Sequence, residues 1–361
     1  MKRGVPDGRV AGDDERGRPT VGLEISQSKY LSAKADEPQM HAILTVRVDG
    51  TAGGGGAGPV LAQVLAVDCS SSMAWPEEKF RHAKRAAVAA LRILPDGTPF
   101  AVVRGTEEAT MVYPAALETQ DTTVMARADA RQRAAAEKAV SRLIEGGGTR
   151  ISAWLDLCRD LLTEQDAPIG HVLLLTDGKN QHDEQGPLEE VLEACAGRFV
   201  CDAWGIGDGW EGRGLLKITR RLHGSAASVR EDSALPGEYE RLMHRLLTKS
   251  VPELVISVRP MAGVAVRYLK QVFPTEAELP CGAGEEGDGT RRFVTRAWGD
   301  ETRRYQLCLA ADPAGRGLGE DLQLAVVAAD MPGGEGVRLP TPLACVVHWT
   351  DDQEPSRHTD V

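Results

Sequence analysis

The chain lacks the features that mark several large classes of protein. Positive charge is in the minority, with 42 Lys and Arg against 53 Asp and Glu, for a formal net charge of −11. That deficit is spread as 0, −5 and −6 over residues 1–59, 60–249 and 250–361, so no segment carries the basic footprint of a nucleic-acid binder. No apolar run is long enough to span a bilayer, and the first residues (MKRGVPDGRVAGDDERGRPT) lack the apolar core of a signal peptide. The seven cysteines are scattered without a C-x-x-C pair or a zinc spacing, which argues against a disulfide framework and for reduced core thiols. The eight histidines form no ligand spacing either. With 361 residues, 42% apolar and 26% charged, the expectation is a cytoplasmic protein of two or more domains with no membrane or nucleic-acid partner.

The patterning divides the chain into six parts. Residues 1–18 are rich in Gly, Arg and Asp and read as disordered. Residues 19–50 alternate as strands, with Val21, Leu23 and Ile25 in one and Met40, Ala42, Leu44, Val46 and Val48 in another. Residues 51–59 form a Gly-rich linker, without the Lys-Ser or Lys-Thr of a phosphate loop. From 60 to 249 apolar strands alternate with helices, which predicts a doubly wound, mostly parallel α/β sheet with one antiparallel hairpin at its edge. In the first helix Phe80, Ala83, Ala87, Leu91 and Leu94 recur at steps of three and four and mark one buried face. Residues 250–350 return to strict alternation, as in Leu343, Cys345, Val347 and Trp349, and predict an antiparallel β-sandwich. The strands before residue 50 lack partners of their own, so they are expected to complete that sandwich around the α/β domain. Residues 351–361 are a polar tail.

Ligands of an open parallel sheet bind beyond the carboxyl ends of its strands. Three polar clusters fall there: Asp68, Ser70 and Ser72 past the first apolar strand, Thr149 after three glycines, and Asp177 after the strand at 172–175. Two carboxylates and three hydroxyls are all hard oxygen ligands, a set that suits Mg²⁺ or Mn²⁺.

These residues resemble the metal-ion-dependent adhesion site (MIDAS) of the von Willebrand factor type A (vWA) family. Asp68-Cys69-Ser70-Ser71-Ser72 matches its D-x-S-x-S, Thr149 in GGGT its threonine, and Asp177 in LLLTDG its second aspartate. Gly205–Trp210 (GIGDGW) is similar too, and the resemblance covers about 190 residues. It implies binding rather than catalysis. Ser70, Ser72 and Thr149 would contact the cation, the two aspartates would act directly or through water, and one position would stay open for an acidic residue of a protein partner. Trp75, Arg150 and Trp210 border these loops and are candidate partner contacts, whereas Trp154 and Trp204 read as core. The resemblance extends loosely to cytoplasmic bacterial vWA proteins of the tellurium-resistance and stress type.

Two alternatives stand beside an intracellular Mg-dependent adaptor. The β-sandwich could carry the contacts while the metal only holds the α/β domain together. A metal-dependent phosphohydrolase could use Asp68 as nucleophile, but that pattern needs a second aspartate where Ser70 stands, and Ser70 lies in DCSSS rather than in a G-x-S-x-G elbow. The expectation is therefore a protein that is not an enzyme.

Overall fold

The computed structural model describes residues 19–32, 38–50, 61–115, 124–165, 167, 169–180, 187–207, 209–229, 235–247, 251–279, 281–283, 289–312, 318–332 and 337–350. The expectations for residues 1–18, 51–59 and 351–361 lie outside the described residues.

Three strands come first: β1 (Thr20–Gln27), β2 (Tyr30–Ser32) and β3 (Gln39–Asp49). The middle of the chain then runs β4 (Leu61–Asp68), α1 (Glu77–Ile93), β5 (Pro99–Gly105), β6 (Ala109–Tyr113), β7 (Ala126–Arg127), α2 (Ala130–Ser141) and α3 (Ile151–Thr163). It continues through β8 (Ile169–Thr176), α4 (Pro187–Cys195), β9 (Val200–Ile206), α5 (Gly212–Arg221), β10 (Ala226–Val229) and α6 (Leu235–Leu247). Eight strands close the chain: β11 (Val251–Pro260), β12 (Val264–Phe273), β13 (Ala277–Glu278), β14 (Cys281–Ala283), β15 (Arg291–Trp298), β16 (Glu301–Ala311), β17 (Asp321–Asp330) and β18 (Leu343–Thr350).

The middle segment forms a seven-stranded mixed sheet in the order β10-β9-β8-β4-β5-β6, with β7 also on β5. Strands β4, β5, β8, β9 and β10 pair in parallel, while β6 and β7 pair antiparallel with β5. Every residue of β4 is buried, as a strand covered on both faces requires. The inward stripe of α1 lies on one face of the sheet, with Phe80, Ala83, Ala87, Leu91 and Leu94 all buried there. Trp154, Leu155, Cys158 and Leu161 of α3 pack on the other. Chain order reverses at β4, whose neighbours are β5 on one side and β8 on the other, so a crevice opens between the carboxyl ends of β4 and β8.

The flanking segments build two further sheets. One has the order β1-β3-β16-β12-β13 and the other β14-β15-β11-β17-β18-β2, and their inward residues form one shared apolar cluster. Thus β3 pairs antiparallel with β16 over Val48↔Glu301 to Gln39↔Ala310, and β2 adds in parallel to β18. The short β2, which periodicity does not reveal, ties the first residues to both sheets. All seven cysteines are unpaired, and six are buried; Cys281, on β14, is exposed and departs from the expectation of a core thiol.

One close approach shapes the site end of the sheet. The Trp154 indole lies flat against Gly105, where an added Cβ would stand 2.4 Å from the ring. Trp154 is fully buried and its Nε1–H donates to the Thr106 carbonyl at 2.7 Å, so the ring has nowhere to move. Gly105→Ala is expected to cost about 2–3 kcal/mol by overpacking. Urea denaturation checks this, and a loss under 0.5 kcal/mol, roughly the scatter of neutral surface changes, would contradict it.

Candidate metal centre

The sequence places its polar clusters at the carboxyl ends of β4 and β8 because each strand's apolar run stops there. Asp68 is the last residue of β4 and is wholly buried. Its Oδ1 accepts the Ser70 N–H at 2.9 Å, and its Oδ2 accepts the Thr176 hydroxyl at 2.5 Å. Thr176 ends β8 one step past the paired residues Val67 and Leu175, so register alone brings it opposite Asp68. Ser70 is buried and its Oγ stands 3.0 Å from Oγ of half-buried Ser72, at the start of a short 3-10 turn over Ser71–Ala74.

The glycine-rich loop lies against this turn. Gly146 donates its N–H to the Cys69 carbonyl at 2.7 Å, and the Ser71 N–H donates to the Gly147 carbonyl at 2.9 Å. Gly147 has φ +92°, a conformation that favours glycine, and a Cβ there would collide with the Glu107 carboxylate. That carboxylate accepts the Gly148 N–H. Thr149, next in the chain, is 1% exposed. The Arg150 N–H donates to the Thr106 carbonyl at 3.0 Å, so Thr106 receives both this loop and Trp154.

Asp177 follows β8 and is wholly buried. Its Oδ1 accepts the Lys179 N–H at 3.1 Å, and its own carbonyl accepts the Glu211 N–H at 2.7 Å. Its Oδ2 accepts from the Lys79 ammonium at 2.5 Å. Burial pushes the Asp68 carboxyl up to about 6; hydrogen bonds from Ser70 and Thr176 pull the other way, and the Asp177 charge adds to the rise. Burial also pushes the neighbouring Cys69 thiol up to about 12, so no thiolate joins the set at neutral pH.

The structure therefore gathers Asp68, Ser70 and Ser72 with the Gly146–Thr149 loop and Asp177 in the crevice between β4 and β8. The donor set is all oxygen and holds two buried carboxylates, so the site fits a hard divalent cation. Among the described residues no group of three or more His, Cys, Asp or Glu is placed to hold a metal ion. Thr176, Glu107, Asn180 and Lys79 were not foreseen as site residues. Thr176 adjoins Asp177 in the sequence and could have been found there. Glu107 and Asn180, whose Oδ1 accepts the Ile151 N–H at 3.2 Å, are set by loop geometry alone.

The candidate partner contacts differ. Trp75 is 83% exposed just past the 3-10 turn. Arg150 is exposed at the start of α3. Trp210 is half-buried, its indole lying on Gly205. Trp154 and Trp204 are core. Ile144 is 73% exposed on the segment that leads into the glycine loop.

Comparison with known proteins places these features. A family model described as the von Willebrand factor type A domain matches residues 62–227. A solved von Willebrand factor type A structure from Catenulispora acidiphila is 30% identical with a TM-score of 0.80, over 98% of this chain and 79% of that one. The ArnB paralog VWA2 from Sulfolobus acidocaldarius shares the fold at 14% identity and a TM-score of 0.53, over 93% of this chain and 77% of its own. An uncharacterized protein of Synechocystis is 29% identical over 154 residues, 41% of this chain, and the match spans 37% of that protein's length.

Proposed function

The chain belongs to the von Willebrand factor type A family, and from that membership we propose that it is a Mg²⁺-dependent protein-interaction module rather than an enzyme. Domains of this family commonly mediate protein–protein interaction. In this reading Asp68, Ser70, Ser72, Thr149 and Asp177 form an intact MIDAS that holds Mg²⁺ or Mn²⁺, which when bound supplies one open coordination position for a carboxylate. The partner offers that carboxylate from an Asp or Glu. Trp75, Arg150 and the half-buried Trp210 then contact the partner around the site. A doubly wound α/β domain inserted into a β-sandwich carries the site.

The observation that supports this most directly is the pair of buried, mutually repelling carboxylates beside two hydroxyls 3.0 Å apart. A buried charge persists when something of opposite sign offsets it. Ser72 is only half-buried, which leaves the site open on one side. A purely structural ion is less well supported, because Lys79 already neutralises part of the charge. A phosphohydrolase is disfavoured by the engagement of both Asp68 oxygens with Ser70 and Thr176. No helix among the described residues is long and apolar enough to cross a membrane, and seven unpaired cysteines favour a reducing, cytoplasmic compartment. The likeness to tellurium-resistance and stress-type proteins is part of the same proposal.

Asp68→Ala tests it. Mg²⁺ affinity by calorimetry is expected to fall by about 100-fold or more, since even outer-sphere changes cost 10–100-fold. Partner capture should be lost in parallel, as it should in the wild type with EDTA. The variant should stay folded. An acid raised from 3.8 to about 6 disfavours the metal-free fold by ~3 kcal/mol above pH 6, a penalty relieved as pH falls toward 4. Unchanged Mg²⁺ binding in a folded variant would sink the proposal.

A further inference from the structure

Lys79 is the third residue of α1, on the turn that faces the crevice. Lysine at a helix start opposes the helix dipole and is ordinarily solvated. Here its side chain is only 8% exposed. The ammonium donates to Asp177 Oδ2 at 2.5 Å and to the Ser72 carbonyl at 2.8 Å, bridging the two halves of the proposed donor set. The aliphatic stem is confined as well: Gly207, with φ +84°, leaves room for it, and a Cβ there would stand 3.4 Å from Lys79 Cγ. The side chain is thus built into the site, fixed at both its stem and its head.

We infer that Lys79 is a tethered cation that competes with the divalent ion for Asp177, an inference that rests on the metal reading above. Without the ion, Lys79 supplies the counter-charge that lets two carboxylates remain buried together. Entry of a divalent cation brings two positive charges close to a third in a space of low dielectric, so binding carries the cost of displacing or crowding the ammonium. The native residue therefore weakens metal affinity while stabilising the metal-free fold. It also makes a loaded site with both carboxylates ionised net positive by one, where two aspartates alone would leave it neutral, and an anionic ligand gains from that excess.

The test is Lys79→Met, which keeps the length of the stem and removes the charge. Calorimetry with MgCl₂ alone should show Kd falling about tenfold or more, equivalent to about 1.4 kcal/mol per decade. The melting temperature should drop in EDTA and recover in Mg²⁺, giving a larger metal-dependent shift than in the wild type. Lys79→Gln, which can still donate to the Ser72 carbonyl, should behave alike; it decides the matter if Lys79→Met is unfolded even with Mg²⁺. A variant that folds only with Mg²⁺, or one that binds Mg²⁺ where the wild type does not, supports the inference. Equal or weaker Mg²⁺ binding in the folded variants overturns it and leaves the metal reading intact. If wild type and folded variants all fail to bind Mg²⁺ or Mn²⁺, the metal reading itself falls. Failure of both variants to fold even in Mg²⁺ also overturns the inference, because the ion could not then replace the ammonium.

Discussion

A chain shortened to begin at residue 61 is expected to lose the fold of residues 251–350 while residues 61–247 stay folded. The reason lies in β3, which sits between β1 and β16 rather than at an edge. Its inward side chains Met40, Ala42, Leu44, Val46 and Val48 are each no more than 1% exposed and belong to the cluster shared by both flanking sheets. The four larger ones contribute on the order of 1.5–3 kcal/mol each. Their sum rivals the 5–15 kcal/mol that holds a typical domain together. Removal also strips β16 of its partner and leaves an open edge beside an apolar face, the usual start of aggregation. The seven-stranded sheet keeps its own apolar clusters on both faces, with no contribution from residues before 61. Limited proteolysis with mass mapping reads the outcome: one resistant fragment near 61–247, with the remainder digested. A fragment that still includes β11 to β18 would show that the flanking segments are independent.

His171→Ala should destabilise the protein by about 3–5 kcal/mol, because it leaves a cavity and strips two buried polar side chains of a hydrogen-bond partner. Gln63 on β4 lies beside His171 on β8, and Asp202 on β9 stands two positions further along, opposite Leu173; the first two are fully buried. The Gln63 amide nitrogen donates to the Val64 carbonyl, which turns its oxygen toward His171 Nδ1 at 2.8 Å. His171 Nε2 stands 2.9 Å from Asp202 Oδ2. Ser225 adds its N–H at 2.8 Å and its hydroxyl at 2.5 Å to Asp202 Oδ1. Burial works to raise the Asp202 carboxyl, but the hydrogen bond and charge of His171, then Ser225, outweigh it and hold the group below the usual carboxylate range. The sign follows directly. A depressed acid stabilises the fold above its unfolded value, near pH 4, and loses that contribution as pH falls toward the lower folded value. Urea midpoints for wild type and His171→Ala, taken from pH 7 down to pH 3, should therefore converge on acidification. A loss below 1 kcal/mol at pH 7, the scale of ordinary single substitutions, would rule out a structural role for this hydrogen-bonded row.

Much of this architecture was legible in the residues, and the limits of that reading have physical causes. Strand and helix positions follow from local periodicity, so β4, α1, β8 and β9 fall where the apolar patterns put them. The candidate donors could be found because Asp68, Ser70, Ser72 and Asp177 follow the ends of apolar runs and Thr149 follows three glycines, which are local signals. Lys79 could not be found that way. Its neighbours Glu77, Glu78 and Arg81 are exposed or charged, and nothing in the spacing tells that its head meets Asp177, 98 residues further on. The Gln63–His171–Asp202 row was hidden because each residue alone looks like a polar interruption of an apolar strand; the register of β4 on β8 pairs the first two, and Asp202 is reached from two positions along β9. Short strands such as β2 and β7 hold two or three residues, too few for any period to show.

The pairing of the first strands with the last has a consequence for the order in which the protein is made. Tyr30 on β2 meets His348 on β18, and Leu44 on β3 meets Tyr305 on β16. A ribosome adding roughly 5–20 residues per second takes on the order of 15–60 s to span such separations. Throughout that interval the α/β segment, complete by residue 247, is free to collapse, while the eleven-residue β3 waits with its apolar face unpaired. Its alternate positions are Gln39, His41, Ile43, Thr45, Arg47 and Asp49, and Arg47 and Asp49 keep charges on the waiting strand, of the kind that discourage pairing with other nascent chains. Nascent-chain stalling between residues 250 and 300 should trap a folded centre with both ends still unassembled.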